Sequence, residues 1–404
     1  MNSMDVALRP VETGLSWRSF TRAYNADRLG FLRALPAVGP VVRMGANLVF
    51  AAHPALIETV FRGTNADFQM TLNRRLESVP AGRGDAELEA WMSARRLATP
   101  AVHRTATSSD DRGRVELSDQ LDSWTAAAGP VRVVEDLTRL NLRASVRLVA
   151  GDPDPRLEAG TLALLPSLVA VVDNGTRLPG PLAFLSRRHR RARRADEALR
   201  NHIAALADSM PRPGGVVGEL ADTGVTRTTI ANLAVAMLLA GTLVPAAAGA
   251  WVLALLTANP DWQDRVRADP AARTWVISET LRLYPPTWLI SRTVARDGVY
   301  AGWHLRAGDE VVVSPYVSHR DPAVFPEPEK FVPERWADLR PGIAEYFPFG
   351  AGARRCVAAD LSLRRLDELV QQVLQRATRL SGGVPRSIST TSTLFPADLR
   401  VRFR

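Results

Sequence analysis

Residues 230–256 are apolar at every position except Asn232 and Thr242, with Pro245 in the middle. A run of that length is long enough for a bilayer, which needs about 20 apolar residues. The alternative is a helix buried on all sides in the centre of a large domain. The run occurs once, contains a proline, and follows an N-terminus (residues 1–18) without the charged-then-apolar pattern of a leader. Those three features favour the buried helix and no membrane span. A chain of 404 residues, 46% apolar and 23% charged, is large and ordinary enough to enclose it. The expected layout is an N-terminal tail, 1–26, and a single domain, 27–404.

Around this helix the periodicity is mainly helical, with short strands. Residues 41–50 (VVRMGANLVF) read as two strands about a Gly-Ala-Asn turn. Pro54 opens a helix with Leu56, Ile57, Val60 and Phe61 on one face. Residues 87–257 read as helices with breaks at 151–155, 174–181 and 211–215. The basic run 187–194 (RRHRRARR) reads as the solvated start of a helix continuing through Ile203 and Leu206. Asp269 and Pro270 read as the N-cap and first-turn proline of a helix that stops before Pro285-Pro286. Residues 291–313 read as strands, with turns at Asp297-Gly298 and Gly308-Asp309. Pro322, Pro326, Pro328 and Pro333 mark an irregular meander. A last helix carries Leu363, Leu366, Leu369, Val373 and Leu374, and residues 394–403 read as one closing strand. The fold class is therefore mainly α with small β-sheets.

The formal charge of +9 is carried by arginine, since Lys330 is the sole lysine. A basic surface attracts nucleic acid, anionic membranes or acidic proteins. The chain has no helix–turn–helix or zinc-finger spacing and no aromatic–basic interleaving, which argues against nucleic acid. The six histidines (His53, His103, His189, His202, His304, His319) show neither i, i+4 pairing nor cysteine neighbours at zinc spacing. There is no G-x-S-x-G elbow and no phosphate loop. One cysteine, Cys356, excludes an internal disulfide framework and suits a reducing, cytoplasmic setting.

Cys356 follows a glycine-rich turn, Phe349-Gly350-Ala351-Gly352-Ala353-Arg354-Arg355, and precedes a helix. At a helix start, free N–H groups and the positive end of the dipole favour thiolate over thiol. Taken alone, a lone cysteine is usually a small buried apolar residue. A dinucleotide loop is excluded, because Arg355 stands at the third glycine position.

This segment resembles the haem-binding loop of the cytochrome P450 superfamily, F-x-x-G-x-R-x-C-x-[GA]. Phe349, Gly352, Arg354, Cys356 and Ala358 fit it. Three further matches follow the family's order. Glu279 and Arg282 resemble its E-x-x-R pair, with Arg335 in Pro-Glu-Arg-Trp as the third, structural member. Trp91 and Arg95 resemble its W-x-x-x-R helix, and Arg292 resembles its strand arginine. The resemblance implies the cytochrome P450 fold, with haem b between the long central helix and the cysteine loop. Cys356 would be the metal ligand. Phe349, Trp91, Arg95, Arg292 and Arg354 would bind the cofactor, the last four at its propionates.

The central helix departs from the family's [AG]-G-x-[DE]-T. Here the segment is Ala240-Gly241-Thr242-Leu243-Val244-Pro245, so leucine and valine replace the acid and the threonine. Neither relays a proton. Pro245 lacks an N–H and deprives the Gly241 carbonyl of its helical partner, which predicts a kink. Gly241, Val244 and Pro245 are thus the candidate distal wall. Leu238, Thr287, Trp288, Leu289, Leu394, Phe395 and residues 68–76 are candidates for an apolar substrate pocket.

The resemblance implies a monooxygenase for a small apolar, terpenoid-like substrate. It would draw electrons from a separate ferredoxin and ferredoxin reductase, the ferredoxin meeting a basic face around Arg354, Arg355, Arg364 and Arg365. The altered distal helix keeps another class open: a peroxygenase, or a non-redox terpenoid cyclase or isomerase. A haem carrier without turnover is a third.

Overall fold

The computed structural model describes residues 7–70, 85–107, 111–174, 187–209, 214–382, 385 and 387–404. The expected break at 174–181 lies outside the described residues apart from Asn174. So do most of the break at 211–215 and residues 71–76 of the expected pocket. The chain forms two compact units.

The first unit comprises Met1–Asn73, Thr287–Lys330 and Asp338–Cys356. It contains β1 (Val11–Glu12), α1 (Trp17–Ala26), α2 (Arg28–Val38), β2 (Val41–Arg43), β3 (Leu48–Ala51), α3 (Pro54–Arg62) and β4 (Phe68–Met70). After the return of the chain come β5 (Ile290–Val294), β6 (Gly298–Tyr300), β7 (Trp303–Leu305), β8 (Glu310–Val313) and the short α13 (Pro315–Ser318). Six strands make one sheet in the order β1-β2-β3-β8-β5-β4. β2 and β3 form the hairpin about Gly-Ala-Asn, with Val42 opposite Phe50. β8 runs parallel to β3, and β5 antiparallel to β8, which puts Arg292 opposite Val311. Leu56, Ile57, Val60 and Phe61 of α3 are wholly buried against this sheet, in a cluster that includes Phe347 and Ala351. Arg43 donates to both oxygens of Asp309, at 2.7 and 2.8 Å, tying β2 to the turn before β8.

The chain turns at residues 295–297 between β5 and β6 and at 307–308 before β8, close to the two expected turns, and the β6–β7 hairpin closes at a third. Gly298 begins strand β6, and the tight turn is Ala301-Gly302, at φ 49° and 85°. Two successive left-handed residues match the twist of a hairpin.

The second unit comprises Arg74–Pro286, Phe331–Ala337 and Val357–Arg404. Its helices are α4 (Asp85–Thr107), α5 (Asp111–Ala126), α6 (Val133–Ala150), α7 (Pro155–Asn174), α8 (Arg187–Asp208), α9 (Gly215–Ala221), α10 (Arg227–Ala258), α11 (Pro260–Ala268), α12 (Pro270–Leu283) and α14 (Ala359–Arg376). Its strands are β9 (Leu380–Gly382), β10 (Ser387–Thr390), β11 (Leu394–Ala397) and β12 (Val401–Phe403).

Helix α10 is the apolar run. Thr226 caps it by accepting from the Thr229 amide, and α4, α6, α8, α9, α11, α12 and α14 pack around it. It is long and apolar enough to cross a membrane, but its apolar circumference is spent on these neighbours, so it is the core helix of the unit. The helix is continuous through Pro245. Asp269 caps α12 by accepting from Ala271, and Pro270 occupies its first turn. In α14, Leu366, Leu369, Val373 and Leu374 are buried, but Leu363 points to solvent at 36% exposure and Leu361 takes an inward place. The single closing strand is two: Asp398, at φ 56°, breaks the run, so β11 pairs with β10 and β12 with β9.

Candidate haem-thiolate site

The loop before Cys356 is shaped by its glycines and by α3. Gly350 and Gly352 have φ of 64° and 67°, left-handed values that side chains with a Cβ rarely take. A Cβ on Gly352 would lie 2.0 Å from the Phe61 carbonyl oxygen, so the loop sits directly on the last turn of α3. Gly350 N–H donates to Phe347 O at 2.9 Å, and Cys356 N–H donates to Phe349 O at 3.0 Å, closing the loop on itself. Its entrance is pinned by His319, wholly buried, whose Nε2 accepts from the Phe347 amide at 2.9 Å. The Phe61 and Phe347 rings meet edge to face at 5.1 Å. Cys356 is exposed. It precedes the helix by more than the sequence suggests: α14 begins at Ala359, after an N-cap, Ala358, that makes no side-chain cap.

Two arginines are set by adjacent residues of the turn after α3. Thr64 Oγ1 donates to Val60 O at 2.8 Å and accepts from Arg292 Nε at 3.3 Å. Asn65, itself left-handed at φ 76°, accepts from Arg354 Nε through Oδ1 at 2.7 Å. Arg292 is only 6% exposed. Besides Thr64 it donates to the Ser291 carbonyl, so its partners among the described residues are neutral. Burial alone pushes its guanidinium down to about 10. A buried cation with only dipoles around it is a site for an anion.

These features test the fit of haem. The donor set is a thiol on a loop whose bends only glycine tolerates, together with a buried arginine whose charge no described carboxylate balances. An iron porphyrin, which would need a thiolate ligand and cations for its propionates, would fit it.

The other implied contacts lie in the second unit. Trp91 is buried in its core and Arg95 is half-buried on α4. Glu279 and Arg282 are both at 0% exposure. The Glu279 carboxylate accepts from Arg282 Nε and Nη2 at 2.9 and 2.8 Å, Arg335 Nε at 3.2 Å, Trp336 Nε1 at 2.9 Å and the Val332 amide at 3.0 Å. One carboxylate therefore ties α12 to the 3-10 turn Pro333–Ala337.

On α10 the candidate distal residues occupy two faces. A Cβ on Gly241 would stand 2.5 Å from Ser145 Oγ of α6, so glycine there allows close helix contact. Pro245, one turn on, lines a cleft of about 720 Å³ with Leu137, Asn141 and Ala144 of α6 and Leu366 and Leu369 of α14. Val244 belongs to the neighbouring row with Ala236 and Ala240, where Ala240 is exposed and the others half-buried. Thr242 is wholly buried and donates to Leu238 O at 2.6 Å. Leu238 is likewise wholly buried in the core. Leu394 is buried, its carbonyl accepting from Trp251 Nε1 at 2.9 Å and its amide donating to Pro286 O at 3.0 Å, while Phe395 is half-buried. In the first unit Trp288 is buried, its carbonyl accepting from Ser314 Oγ at 2.8 Å, and Thr287 and Leu289 are half-buried.

Three contributors escaped the sequence reading: Thr64, Asn65 and Trp336. Only Trp336 left a signal, its place beside Arg335; the others act across long stretches of chain. Ala240 was visible as the i−4 neighbour of Val244.

The sequence profile of the family described as Cytochrome P450 matches residues 273–393, which span α12 to the strand before β11. A cyclooctatin synthase of Streptomyces melanosporofaciens is 31% identical over 381 residues, covering 81% of this chain and 80% of that one. A cyclooctat-9-en-7-ol 5-monooxygenase of the same organism is 27% identical, covering 86% and 84%. The crystal structure of CYP175A1 from Thermus thermophilus superposes with a TM-score of 0.78 over 98% of this chain and 100% of that one, at 24% identity, which speaks for the fold. With the cysteine loop, the buried arginine and the Glu279 cluster in place, these likenesses establish that the chain belongs to the cytochrome P450 family of haem-thiolate oxidoreductases.

Proposed function

We propose that this chain is a monooxygenase that holds haem b through the Cys356 thiolate and oxidises a small apolar, terpenoid-like substrate. The observation that carries the proposal is the Cys356 loop, bent by Gly350 and Gly352 onto α3, together with the buried Arg292, whose charge no carboxylate among the described residues balances. Haem bound by a thiolate supplies dioxygen activation, because the sulfur pushes electron density that favours O–O cleavage.

The chain's own groups do the rest. Arg292 and Arg354, held by Thr64 and Asn65, and Trp91 and Arg95 on α4 compensate the propionates. Phe349 fixes the loop by accepting from the Cys356 amide. Val244, with Ala236 and Ala240, offers an apolar surface that excludes water, and Gly241 and Pro245 set the backbone behind it. Thr287, Trp288, Leu289, Leu394 and Phe395 complete an apolar lining. The relatives named as a cyclooctatin synthase and a cyclooctat-9-en-7-ol monooxygenase support a terpenoid-like substrate. Electrons come from a ferredoxin and its reductase, in a reducing cytoplasm.

One observation favours a second reading. Leu243 and Val244 replace the acid and hydroxyl that hand protons to the distal side. A pocket without them suits peroxide-driven oxidation, or cyclisation or isomerisation without net oxidation.

Incubation with candidate terpenoids separates the two. Product that requires NAD(P)H, ferredoxin and reductase supports monooxygenation. Product with peroxide alone, or with no oxidant at all, replaces it by the second reading. The Cys356→Ala protein should lose the thiolate signature of the reduced carbon monoxide complex; its retention ends the ligand assignment.

A further inference from the structure

The cleft beside Pro245 lies within the second unit, bordered by α5, α6, α10 and α14. Its described lining includes none of Ala236, Ala240 and Val244, so it is separate from the row of α10 that offers the apolar distal surface. Its volume of about 720 Å³ is that of a small-molecule site, which runs from roughly 300 to 1,000 Å³.

Depth sorts the lining by polarity. The buried members are apolar: Leu137 and Ala144 of α6, and Leu361, Leu366 and Leu369 of α14. Leu137 and Leu369 close on Gly249 of α10, where a Cβ would stand 3.3 and 3.0 Å from them, so this floor is tightly packed. The charged members stand at the rim. Arg114 of α5, 58% exposed, pairs with Glu368 of α14 at 3.0 Å. Arg147 of α6 is the exception. Its side chain is only 10% exposed, and its Nη1 donates to Glu116 Oε1 of α5 at 2.7 Å. A guanidinium is thereby fixed at nearly the depth of the apolar floor, one turn along α6 from Ala144.

The charge of the lining decides the kind of occupant. Five arginines (Arg114, Arg147, Arg364, Arg365 and Arg376) face three carboxylates (Glu116, Asp367 and Glu368) among the described residues that line the cleft. Of the three, Asp367 is engaged from outside the lining, by Arg273 at 2.5 Å. A recess lined by an excess of one sign of charge concentrates counter-ions. The excess is small, which suits a single negative charge better than a polyphosphate. An arginine fork takes a carboxylate in two hydrogen bonds, and the floor takes an apolar body.

We propose that this cleft binds a small amphiphilic monoanion, an apolar chain ending in a carboxylate, with the chain on the Leu137–Leu369 floor and the carboxylate at Arg147. The site is independent of the reaction at the haem.

The test is calorimetric titration of the full-length holoprotein with decanoate, decanol and inorganic phosphate. Decanoate should bind saturably and at least about tenfold more tightly than either of the others, because only it has both a charge and a chain. Ala144→Phe, which fills the cleft, and Arg147→Gln should each weaken decanoate at least about tenfold. The response of the Soret band to decanoate, which reads occupancy beside the iron, should be the same in both variants as in the wild type. Glu116→Gln removes the carboxylate that competes for Arg147 and should tighten decanoate, a gain that a purely structural ion pair would not give. Should the buried variants fail to fold, Arg114→Gln at the exposed rim should weaken decanoate about threefold. Absence of binding, equal binding of decanol or of phosphate, or a decanoate affinity that none of these substitutions alters overturns the proposal.

Discussion

Arg292 is a buried guanidinium whose hydrogen-bond partners, Thr64 and Ser291, are both neutral. Its guanidinium is pushed from 12.5 to about 10 by burial, which corresponds to roughly 3 kcal/mol of unfavourable charge desolvation. Its hydrogen bonds to Thr64 and Ser291 return about 1 kcal/mol each. Arg292→Gln should therefore stabilise the chain free of haem by about 1 kcal/mol in urea unfolding. The same substitution should weaken haem retention at least about tenfold, a cost of roughly 1.4 kcal/mol, in a transfer assay to a haem scavenger. Loss of stability with unchanged haem retention would mean that Arg292 is only a packing residue. Gly352 makes the opposite point, because nothing but hydrogen fits beside the Phe61 carbonyl. Gly352→Ala adds left-handed strain and a backbone clash, and should cost about 2–4 kcal/mol of unfolding free energy. Its reduced carbon monoxide spectrum should shift away from the thiolate position as the loop moves.

Among helices and strands, the Glu279 cluster joins α12 to the turn at Pro333–Ala337, and it does so with buried charge. Glu279→Gln leaves Arg282, at 0% exposure, without its counter-ion, and should cost about 3–5 kcal/mol. Chemical denaturation checks the cost, and a variant within 1 kcal/mol of the wild type, about the worth of an exposed pair, would show that the cluster is not desolvated. That α12 begins at Asp269-Pro270 was readable, since cap and first-turn proline are local chemistry. The same holds for α3, whose apolar face is written at helical spacing. The closing segment was misread because Asp398 is a weaker residue-type signal of a left-handed break than glycine would have been. The support of the cysteine loop was hidden for a different reason. Thr64 meets Arg292 across 228 residues and Asn65 meets Arg354 across 289, and no local pattern encodes such contacts.

At the level of the entire chain, a formal charge of +9 coexists with acidic groups held in unequal environments, so stability should depend on pH in two windows. Burial opposes ionisation of Asp309, but hydrogen bonds from Arg43 and the Arg306 amide, with the charges of both arginines, outweigh it and hold the carboxyl below its usual 3.8. A carboxyl depressed on folding contributes stability that is present above its unfolded value and lost as pH falls through the folded one. Asp309 therefore protects the fold at neutral pH and fails in the acid limb below about 4. Glu310, the next residue, behaves oppositely. Burial pushes its carboxyl up, against a smaller pull from a Ser291 hydrogen bond. A carboxyl raised on folding contributes stability that is complete below its unfolded value, 4.5, and is lost as pH rises through the folded one. Ionised Glu310 is thus a burden on β8 at neutral pH and a neutral neighbour in acid. Glu310→Gln should raise the unfolding free energy at neutral pH and leave it unchanged near pH 4, while Asp309→Asn should lower it at neutral pH and flatten the acid limb. Urea titrations of both variants across that range decide the matter. If Glu310→Gln gained as much in acid as at neutral pH, the gain would come from packing, and the desolvated carboxylate would not be its source.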